Sequence, residues 1–422
     1  MQLAPPGYPA TAVWAFDGAM PGPVIRVRQG DRVRRRLVNA LPQPTSLHWH
    51  GVRIDNRMDG VAGLTQPAVA PGGDFLYDFV APDAGTYWYH AHNRSAEQVA
   101  RGLYGALVVE EPERPDVDRD EVLILDDWRL DPESAQIHES FGAPHDRSHA
   151  GRYGNYIATN GRSEMSLPVR QGERLRLRLV NAANARIFGV DVEGLDGWVA
   201  ALDGMPLSRP GPIAETLLLA PGQRADLFVD VTAAPGGAAR LVSRDRDGAI
   251  PLATLPVTGA AGVRRPTPAA LPPNPDMAPP SLAEARPLRL LMEGGAMGRL
   301  AAATLDGVRR GFRELARQNQ FWAFNGIVGM TEAPLAVLSR GEPARLEIVN
   351  DTAFPHAMHL HGVHFREILP EGGFGALRDT ITLFRGETRE IAFTARNPGD
   401  WLLHCHMLSH AESGMTTWIR VA

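Results

Sequence analysis

Residues 171–181 read QGERLRLRLVN, and this stretch decides the fold class. A Gly-acid turn precedes a run in which Arg and Leu alternate, and the run ends at Asn181. Alternation with a period of two is typical of a β-strand, because successive side chains point to opposite faces. The pattern occurs twice more, as QGDRVRRRLVN at 29–39 and as RGEPARLEIVN at 340–350. A motif that returns at domain-sized intervals indicates that one β-rich unit is present three times.

The length and composition of the chain agree with this interpretation. Its 422 residues fit about three domains of ordinary size. The 43 glycines and 35 prolines favour many short strands joined by turns. We therefore predict an all-β chain with domains at 1–112, 113–262 and 283–422, and a Pro- and Ala-rich linker at 263–282. Within the third domain, residues 300–320 are predicted to form a short helix with a connecting loop.

The charge and hydropathy patterns exclude some classes of function. The formal net charge of -5, without a dominant basic patch, argues against a nucleic-acid partner. All 43 of the Lys and Arg residues are Arg. No apolar run is long enough to predict a membrane span. Residues 1–8 lack the charged and apolar regions of a signal peptide.

The histidines fall on the repeats in a regular way. From Asn39 and Asn350, which end the first and third copies of the motif, one common spacing leads to His-x-His pairs at 48–50 and 359–361. In the middle copy the same spacing leads to apolar residues such as Val190. The first and third domains therefore share a feature that the second domain lacks.

A second His-x-His pair follows in each of the same two domains. After the turns at Gly72 and Gly386, a common spacing leads to the pairs at 90–92 and 404–406, whereas the equivalent stretch 240–245 has no histidine. Residues i and i+2 of a strand point to one face, so each pair can converge on one target. Imidazoles from the first and third domains can meet only where these domains touch. The pattern predicts a metal cluster shared between them.

The third domain carries additional soft ligands. Cys405, the only cysteine, stands between two of the cluster histidines, with His356, His410 and Met415 nearby in the sequence. The matching positions of the first domain hold none of these extra residues. A Cys, two His and a nearby Met form the trigonal thiolate site of blue copper with its weak axial thioether. Zinc fits less well, because strand alternation turns Cys405 away from its two neighbours, whereas structural zinc requires converging ligands.

The motifs at 48–51, 88–92, 356–362 and 404–415 resemble the four copper motifs of the multicopper oxidases, a family that includes laccases, ascorbate oxidase, bilirubin oxidase and bacterial cuprous oxidases. The resemblance covers essentially the whole chain. It implies three cupredoxin-like domains and four copper ions, of which one is type 1, one is type 2 and two are type 3. By position it implies His356, Cys405, His410 and Met415 as type 1 ligands, His48 and His359 as type 2 ligands, and His50, His90, His92, His361, His404 and His406 as type 3 ligands.

Two carboxylates are candidates for proton supply, since reduction of dioxygen to water consumes protons. Asp59 resembles the acidic residue that the family places beside the type 2 copper, and the alternative is that it only forms an Asp-Gly turn with Gly60. Glu412 stands one position later than the acid of some bacterial relatives, at which this chain has Ala411. Its side chain either serves the same relay or faces elsewhere.

The resemblance implies an oxidoreductase that couples one-electron oxidation of a substrate to reduction of dioxygen to water. The first hypothesis is a laccase-like enzyme, on which a phenol or aromatic amine docks near His356 or His410. The second is a metallo-oxidase of Cu(I), Fe(II) or Mn(II). The non-enzyme alternative is a copper-binding cupredoxin scaffold, and a two-domain copper nitrite reductase would lack four His-x-His pairs. Bacterial relatives imply export to the periplasm, and the sequence leaves the oligomeric state open.

Some histidines and methionines stay outside this scheme. We expect a solvent-exposed loop of the second domain to contain His138, His145 and His149. We expect His364 to pack near the third motif. Core packing is expected for Met292, Met297 and Met330. The chain lacks the long Met-rich insert that is typical of cuprous oxidases, which disfavours a dedicated cuprous oxidase.

Overall fold

The structure is a computed structural model, which describes residues 1, 3, 7–245, 248–262 and 265–422. Strands dominate it and fall into three consecutive groups of sheets, so the predicted all-β fold is confirmed. The helical elements are short: a 3-10 helix (Asn56–Met58), α1 (Ser95–Gln98), α2 (Pro144–Ser148), α3 (Phe312–Arg317) and α4 (Leu408–Ala411).

The first group of strands forms a small sandwich. Its members are β1 (Gly22–Arg28), β2 (Arg32–Val38), β3 (Leu47–His50), β4 (Asp74–Val80), β5 (Gly85–Ala91) and β6 (Tyr104–Glu110). They form a four-stranded sheet in the order β1-β6-β5-β3 and a two-stranded sheet of β2 and β4. Trp49 on β3 packs against Tyr77 and Phe79 on β4, with ring centroids 5.8 and 4.9 Å apart. The two sheets therefore enclose a common core.

The second group contains two larger sheets. Its strands are β7 (Arg119–Trp128), β8 (Tyr156–Thr159), β9 (Val169–Gln171), β10 (Arg174–Asn181), β11 (Phe188–Glu193), β12 (Leu195–Leu202), β13 (Met205–Pro212), β14 (Leu217–Leu219), β15 (Arg224–Val231), β16 (Ala238–Asp245) and β17 (Gly248–Ala260). One sheet has the order β13-β12-β15-β10-β7-β8 and the other β14-β11-β16-β17-β9. Leu175, Leu177 and Leu179 of β10, from the stretch quoted first, lie in the core of this group.

The arginines that alternate with these leucines are buried as well. Arg176 and Arg178 are at most 1% exposed, because this face of β10 packs against the first group of strands. Arg176 pairs with Glu111 at 2.8 Å, and Arg178 donates a hydrogen bond to Thr86 at 2.9 Å. Buried cations are tolerated only when such partners compensate for lost hydration. Both faces of β10 are therefore packed.

The third group repeats the architecture of two packed sheets. Its strands are β18 (Arg286–Gly294), β19 (Ala302–Leu305), β20 (Val308–Gly311), β21 (Trp322–Phe324), β22 (Ala336–Leu338), β23 (Pro343–Asn350), β24 (His356–Leu360), β25 (Phe365–Ile368), β26 (Phe374–Arg378), β27 (Thr380–Leu383), β28 (Thr388–Thr394), β29 (Gly399–Cys405) and β30 (Thr416–Val421). The sheet orders are β21-β18-β23-β28-β25-β26 and β22-β30-β29-β24-β27, beside the pair β19-β20.

The helix predicted within 300–320 is only partly right. It is present as α3, but β19 and β20 form an antiparallel hairpin ahead of it. Asp306 and Gly307 connect these strands, and both have positive φ, at 52° and 73°. A two-residue hairpin turn requires this backbone conformation, and Asp-Gly is a preferred pair for it. The Asp-Gly pair was therefore the local signal for the hairpin.

The predicted linker is attached to the first domain. Residues 265–282 contain neither helix nor strand, and Val263 and Arg264 lie outside the described residues. Asn274 is buried in this segment, and its side-chain amide exchanges two hydrogen bonds with the backbone of Ala84, at 2.7 and 2.8 Å. These contacts hold the segment in place although it has no regular structure.

The borders at 1–112, 113–262 and 283–422 stay predictions, because no feature of the sheets marks single residues as domain ends. None of the helices that the described residues form is both long and apolar enough to cross a membrane.

Candidate metal centre

Paired strands place the predicted histidines beside each other. β3 pairs with β5 so that His48 lies opposite His90, and β24 pairs with β29 so that His359 lies opposite His404. Side chains of directly opposed residues share one face of a sheet. The strand register of each domain therefore brings two His-x-His pairs to one place.

The two halves of this cluster meet between the first and third groups of strands. The rings of His48 and His361 stack with centroids 3.9 Å apart, and those of His50 and His359 with centroids 3.7 Å apart. In both contacts the first ring belongs to the first domain and the second ring to the third. The structure thus brings the eight predicted cluster histidines together, and all but the half-buried His92 are buried.

Several ring nitrogens in the cluster have no hydrogen-bond partner within the described part of the chain: Nε2 of His48, His90, His92 and His359, and both nitrogens of His406. A buried polar atom left unpaired costs roughly 1–3 kcal/mol. In each of three groups, one ligand nitrogen per residue lies within 4.8 Å of the others: His48-His50-His90, His48-His359-His361 and His92-His361-His404. Unpaired, converging imidazole nitrogens fit metal ions, which accept their lone pairs.

Burial keeps six of these imidazoles neutral. Loss of hydration, assisted by neighbouring charges that include other cluster histidines, lowers the pKa well below the usual range for His50, His90, His361, His404 and His406. The same causes lower the pKa of His92 to about 3. Neutral imidazole is the form that binds a metal.

Cys405 lies in a second buried site beside the cluster. Its Sγ is 3.5 Å from Nδ1 of His356 and 3.8 Å from Nδ1 of His410, and the two nitrogens are 3.1 Å apart. Burial raises the pKa of the Cys405 thiol to about 12 and lowers that of His410 to about 4. Met415 is fully buried in the same core, and its carbonyl accepts a hydrogen bond from the Cys405 N–H at 3.1 Å. This donor set fits one copper ion.

The second domain covers the outer edge of this thiolate site. His410 Nε2 donates a hydrogen bond to the carbonyl of His149, which follows α2, at 2.7 Å. Trp322 packs against both His356 and His410, and its indole N–H donates to the carbonyl of Arg147 at 2.5 Å. No sequence pattern predicted this cover, because the segment around α2 reads as an ordinary polar loop.

Asp59 contacts the cluster directly. It is fully buried, and one carboxylate oxygen lies 2.9 Å from His361 Nδ1. Its backbone carbonyl lies 2.7 Å from His48 Nδ1. The Asp-Gly turn is present as well: Gly60 has φ of 84°, and a Cβ there would collide with the carbonyl of Leu47. The turn places the carboxylate against two histidines from different domains.

Glu412 lies at the edge of the thiolate site, two residues after His410. It accepts a hydrogen bond from the backbone N–H of Ala96 in α1 at 2.9 Å. It also pairs with Arg147 of α2 at 3.3 Å. These contacts join three short helical segments from three domains, since Glu412 itself follows α4.

Asp379 is a buried residue of this site that the sequence analysis missed. Its carboxylate lies 3.3 Å from His50 Nε2 and 3.4 Å from His359 Nδ1. Burial raises the pKa of this carboxyl, but the charge of Arg224 and hydrogen bonds from both histidines outweigh burial and hold it well below the usual range. Asp379 belongs to no histidine motif, so only the packing of three domains reveals it.

The remaining histidines and methionines agree only in part with expectation. His138 and His145 are exposed and His149 is half-buried, while His364 is buried with Nε2 at 3.6 Å from Asp379. Met292 packs in the core as expected. The prediction of core packing is wrong for the other two methionines, because Met297 is 79% exposed and Met330 is 39% exposed.

Comparison with known proteins gives similarity along most of the chain. Three family models described as multicopper oxidase match residues 1–114, 119–238 and 309–422. A protein named multicopper oxidase MmcO, from Mycobacterium tuberculosis, is 32% identical, and the match covers 97% of this chain and 83% of the relative.

Solved structures give the same result. A multi-copper oxidase from Pseudomonas thermotolerans has a TM-score of 0.87 and 33% identity, covering 100% of this chain and 96% of that one. Lac15 from a marine microbial metagenome has a TM-score of 0.80 and 43% identity, covering 100% and 97%. The chain therefore has the cupredoxin-like all-β fold of these proteins.

Proposed function

Because the chain belongs to the multicopper oxidase family, we propose that this copper-dependent oxidoreductase is laccase-like: it takes single electrons from a phenol or an aromatic amine and reduces dioxygen to water. One observation carries the proposal. Eight imidazoles cluster, seven in groups that could hold a metal ion and His406 in ring contact with His50 and His90. This cluster is joined through the chain to the buried site of His356, Cys405 and His410. A noncatalytic scaffold would not need a thiolate site that is directly connected through the chain to a cluster of imidazoles.

The proposal assigns four copper ions to these residues. The type 1 ion would be held by His356, Cys405, His410 and Met415. The type 2 ion would be held by His48 and His359. The type 3 pair would be held by His50, His90, His92, His361, His404 and His406. Copper bound at these positions supplies one-electron redox chemistry and a place for dioxygen to react.

The chain itself supplies the connection between the sites. Cys405 is bonded through its own backbone to His404 and His406, so three consecutive residues join the thiolate site to the cluster. Asp59 fixes the ring of His361 by a hydrogen bond to Nδ1, which leaves Nε2 to face the cluster. The other carboxylate oxygen of Asp59, Oδ1, lies 3.3 Å from His48 Nδ1 but accepts no well-oriented hydrogen bond within the described residues. We therefore place the transferable proton at this atom.

The cover over the thiolate site determines where a reductant docks. The hydrogen bond from His410 to the His149 carbonyl blocks direct contact with His410 Nε2. We place the aromatic reductant against the surface around α2, where the rings of His145 and His149 stack with centroids 4.0 Å apart. A reductant at this surface would be separated from His410 by the His149 backbone and one hydrogen bond, which gives a short path for the electron.

A metallo-oxidase is the second candidate, and the exposed methionine favours it. Met297 follows Ala296, whose N–H donates to the carbonyl of Ser148 in α2 at 2.6 Å. A thioether therefore lies on the same surface as two histidines, and thioethers are soft ligands suited to Cu(I). Export to the periplasm is a further part of the proposal, which cell fractionation tests.

Oxygen uptake by the copper-loaded protein tests these candidates. A laccase-like enzyme consumes dioxygen with a phenolic dye faster than with Cu(I), Fe(II) or Mn(II), and a metallo-oxidase shows the reverse order. The copper-loaded protein must also show the type 1 absorption at roughly 600 nm and hold about four copper ions per chain. As a control, Cys405→Ser removes the absorption while the cluster histidines stay intact. Absence of colour in the loaded wild-type protein contradicts the assignment.

A further inference from the structure

The second domain supplies none of the proposed metal ligands, yet the segment Gly222-Gln223-Arg224 reaches the cluster. Gly222 has φ of 86°, and a Cβ at this position would lie 2.9 Å from ring atoms of both His406 and His50. The Gln223 side chain donates a hydrogen bond to the carbonyl of Thr380 at 3.0 Å. The backbone of the second domain is therefore in direct contact with the histidines of the other two.

Arg224 makes the most extensive contacts of this segment. It is fully buried, and its guanidinium donates to both oxygens of Asp379, at 2.9 and 2.6 Å. Its remaining donors bind the carbonyls of Thr86, Asp203 and Gly222, at 3.2, 2.9 and 3.0 Å. A planar guanidinium that binds a carboxylate through two nitrogens fixes its orientation as well as its charge. Arg224 thus joins all three domains at one point.

Asp379, held in this orientation, contacts two histidines of the cluster. Its carboxylate lies 3.3 Å from His50 and 3.4 Å from His359, and its backbone carbonyl lies 3.0 Å from His359 Nδ1. The Nε2 atom of His359 then has no partner among the described residues and faces the cluster. Hydrogen bonds to the outer nitrogen of a ligand histidine fix the ring and raise its affinity for metal.

We propose that Arg224 is a positioning residue: through Asp379 it fixes His359 and His50, so that the domain without ligands controls metal occupancy at the type 2 position. A second effect acts in the same direction. His50, His359 and Asp379 could together hold a metal ion. The bidentate contact with Arg224 occupies the Asp379 carboxylate, which prevents it from competing with the imidazoles for that ion. The inference rests on the proposed function, since it uses the assignment of His359 to the type 2 ion.

Copper binding by Arg224→Met tests the inference. We expect the type 2 ion to bind roughly 10- to 100-fold more weakly, as for other residues that orient metal ligands. Chelator competition, copper content and the type 2 EPR signal measure this change. Absorption of the Cys405 site should keep its wild-type intensity. Arg224→Lys retains the charge but cannot bind both oxygens in the same way, so we expect intermediate affinity.

Arg176→Met is the matched control. Arg176 is equally buried in the second domain and pairs with Glu111 and Asp226, but these acids do not contact the cluster histidines named here. It should lower stability and leave the type 2 affinity unchanged. Should Arg224→Met fail to fold, Asp379→Asn provides the same test, with the same selective loss expected.

Three results would overturn the inference: wild-type affinity in Arg224→Met or Asp379→Asn, equal loss of type 1 and type 2 copper, or the same loss in Arg176→Met. Failure of the proposed function is a separate result. It would appear as a wild-type protein that takes up copper without the type 1 absorption.

Discussion

Asp59 has a carboxylate that is buried between the two halves of the cluster, with one oxygen hydrogen-bonded to His361 and the other 3.3 Å from His48 Nδ1. A residue in this position can orient a ligand and also exchange protons. These two roles differ in what they require: orientation needs a hydrogen-bond acceptor of the right shape, whereas proton exchange needs an ionisable group. Replacing the carboxylate by an amide of the same size keeps a hydrogen-bond acceptor but removes the ionisable group. The substitution therefore separates the two roles.

Replacement of Asp59 by Asn should preserve the absorption near roughly 600 nm, because the Cys405 site does not contact Asp59. We expect reoxidation of the reduced protein by dioxygen to slow by roughly 100-fold or more, since an amide cannot supply a proton. Stopped-flow recovery of the blue absorption after mixing with dioxygen measures this rate. Asp55→Asn, on the exposed side of the same turn, is the control. Reoxidation of Asp59→Asn at the wild-type rate would rule out the role.

His364 illustrates how one buried base makes folding sensitive to acid. Burial, together with the charges of Arg53 and Arg224, lowers its pKa to about 3 despite the opposing charge of Asp379. The unfolded chain binds this proton near pH 6.5 and the folded chain does not. The stability associated with a neutral His364 is therefore present above pH 6.5 and is lost as the pH falls towards 3.

His364→Gln should reduce the acid sensitivity of the metal-free protein. When the pH falls from 6.5 to 4.5, titration of His364 should reduce the free energy of unfolding of the wild-type protein by about 2 to 3 kcal/mol. Glutamine does not titrate, so the variant should not show this reduction. Urea unfolding at both pH values measures the difference. His138→Gln, which changes an exposed histidine, should leave the pH dependence as it is. Identical losses in wild type and His364→Gln would contradict the assignment.

At the scale of elements, α2 closes the thiolate site from outside. It is held by the contact between Arg147 and Glu412 and by the indole of Trp322. The cover consists largely of backbone atoms, so the identity of its side chains is free to vary with the reductant. This explains why the segment looks like an unremarkable loop in the sequence.

Glu412→Gln should therefore affect access more than dioxygen chemistry. Loss of the ion pair loosens α2 against α4, so we expect the KM for a phenolic reductant to change several-fold while the reoxidation rate stays within about twofold, because a partly exposed ion pair contributes only about 1 kcal/mol. Steady-state kinetics and stopped-flow reoxidation separate the two. Glu139→Gln, which changes an exposed glutamate of the second domain, is the control. A selective fall in reoxidation would instead support a proton relay.

The elements also mark the limit of what the sequence predicts. The His-x-His pairs could be placed on strands because alternation is a local property. The register that sets His48 opposite His90 was not predicted and is seen only in the structure. Asp379 and the His149 carbonyl could not be found this way, because their contacts with the two sites depend on packing between domains. The hairpin at Asp306 could have been predicted from the local Asp306-Gly307 pair. It was missed because the surrounding segment was interpreted as a helix with a loop.

At the scale of the molecule, buried arginines join the domains. Arg176 connects the second domain to Glu111 at the end of β6, and Arg224 contacts both outer domains. The sequence analysis predicted only that the second domain lacks the ligand histidines of the other two. Its arginines lie at the contacts with the other domains: Arg176 contacts the first domain, and Arg224 contacts both the first and the third.

Arg176→Met should lower the stability of the first two domains together rather than of one domain alone. Removing one partner of a buried ion pair costs about 3–5 kcal/mol, because Glu111 and Asp226 are left buried without compensation. A lower thermal midpoint in calorimetry, with the first and second domains affected together, is the expected result. Arg420→Met, which removes an exposed pair, should have a much smaller effect. Equal effects of the two changes would contradict the argument.

The division of the cluster between 48–92 and 359–406 has a consequence for how a cell makes this protein. Protein synthesis starts at the N-terminus, so the first four imidazoles leave the ribosome with more than half of the polypeptide still untranslated. Until β29 is made and docked, those side chains form half a chelate that is open to solvent. Under the proposed ligand assignment, copper can be captured in its final arrangement only after that strand is made and docked. A shortened chain that ends before β29 should therefore bind the ion loosely.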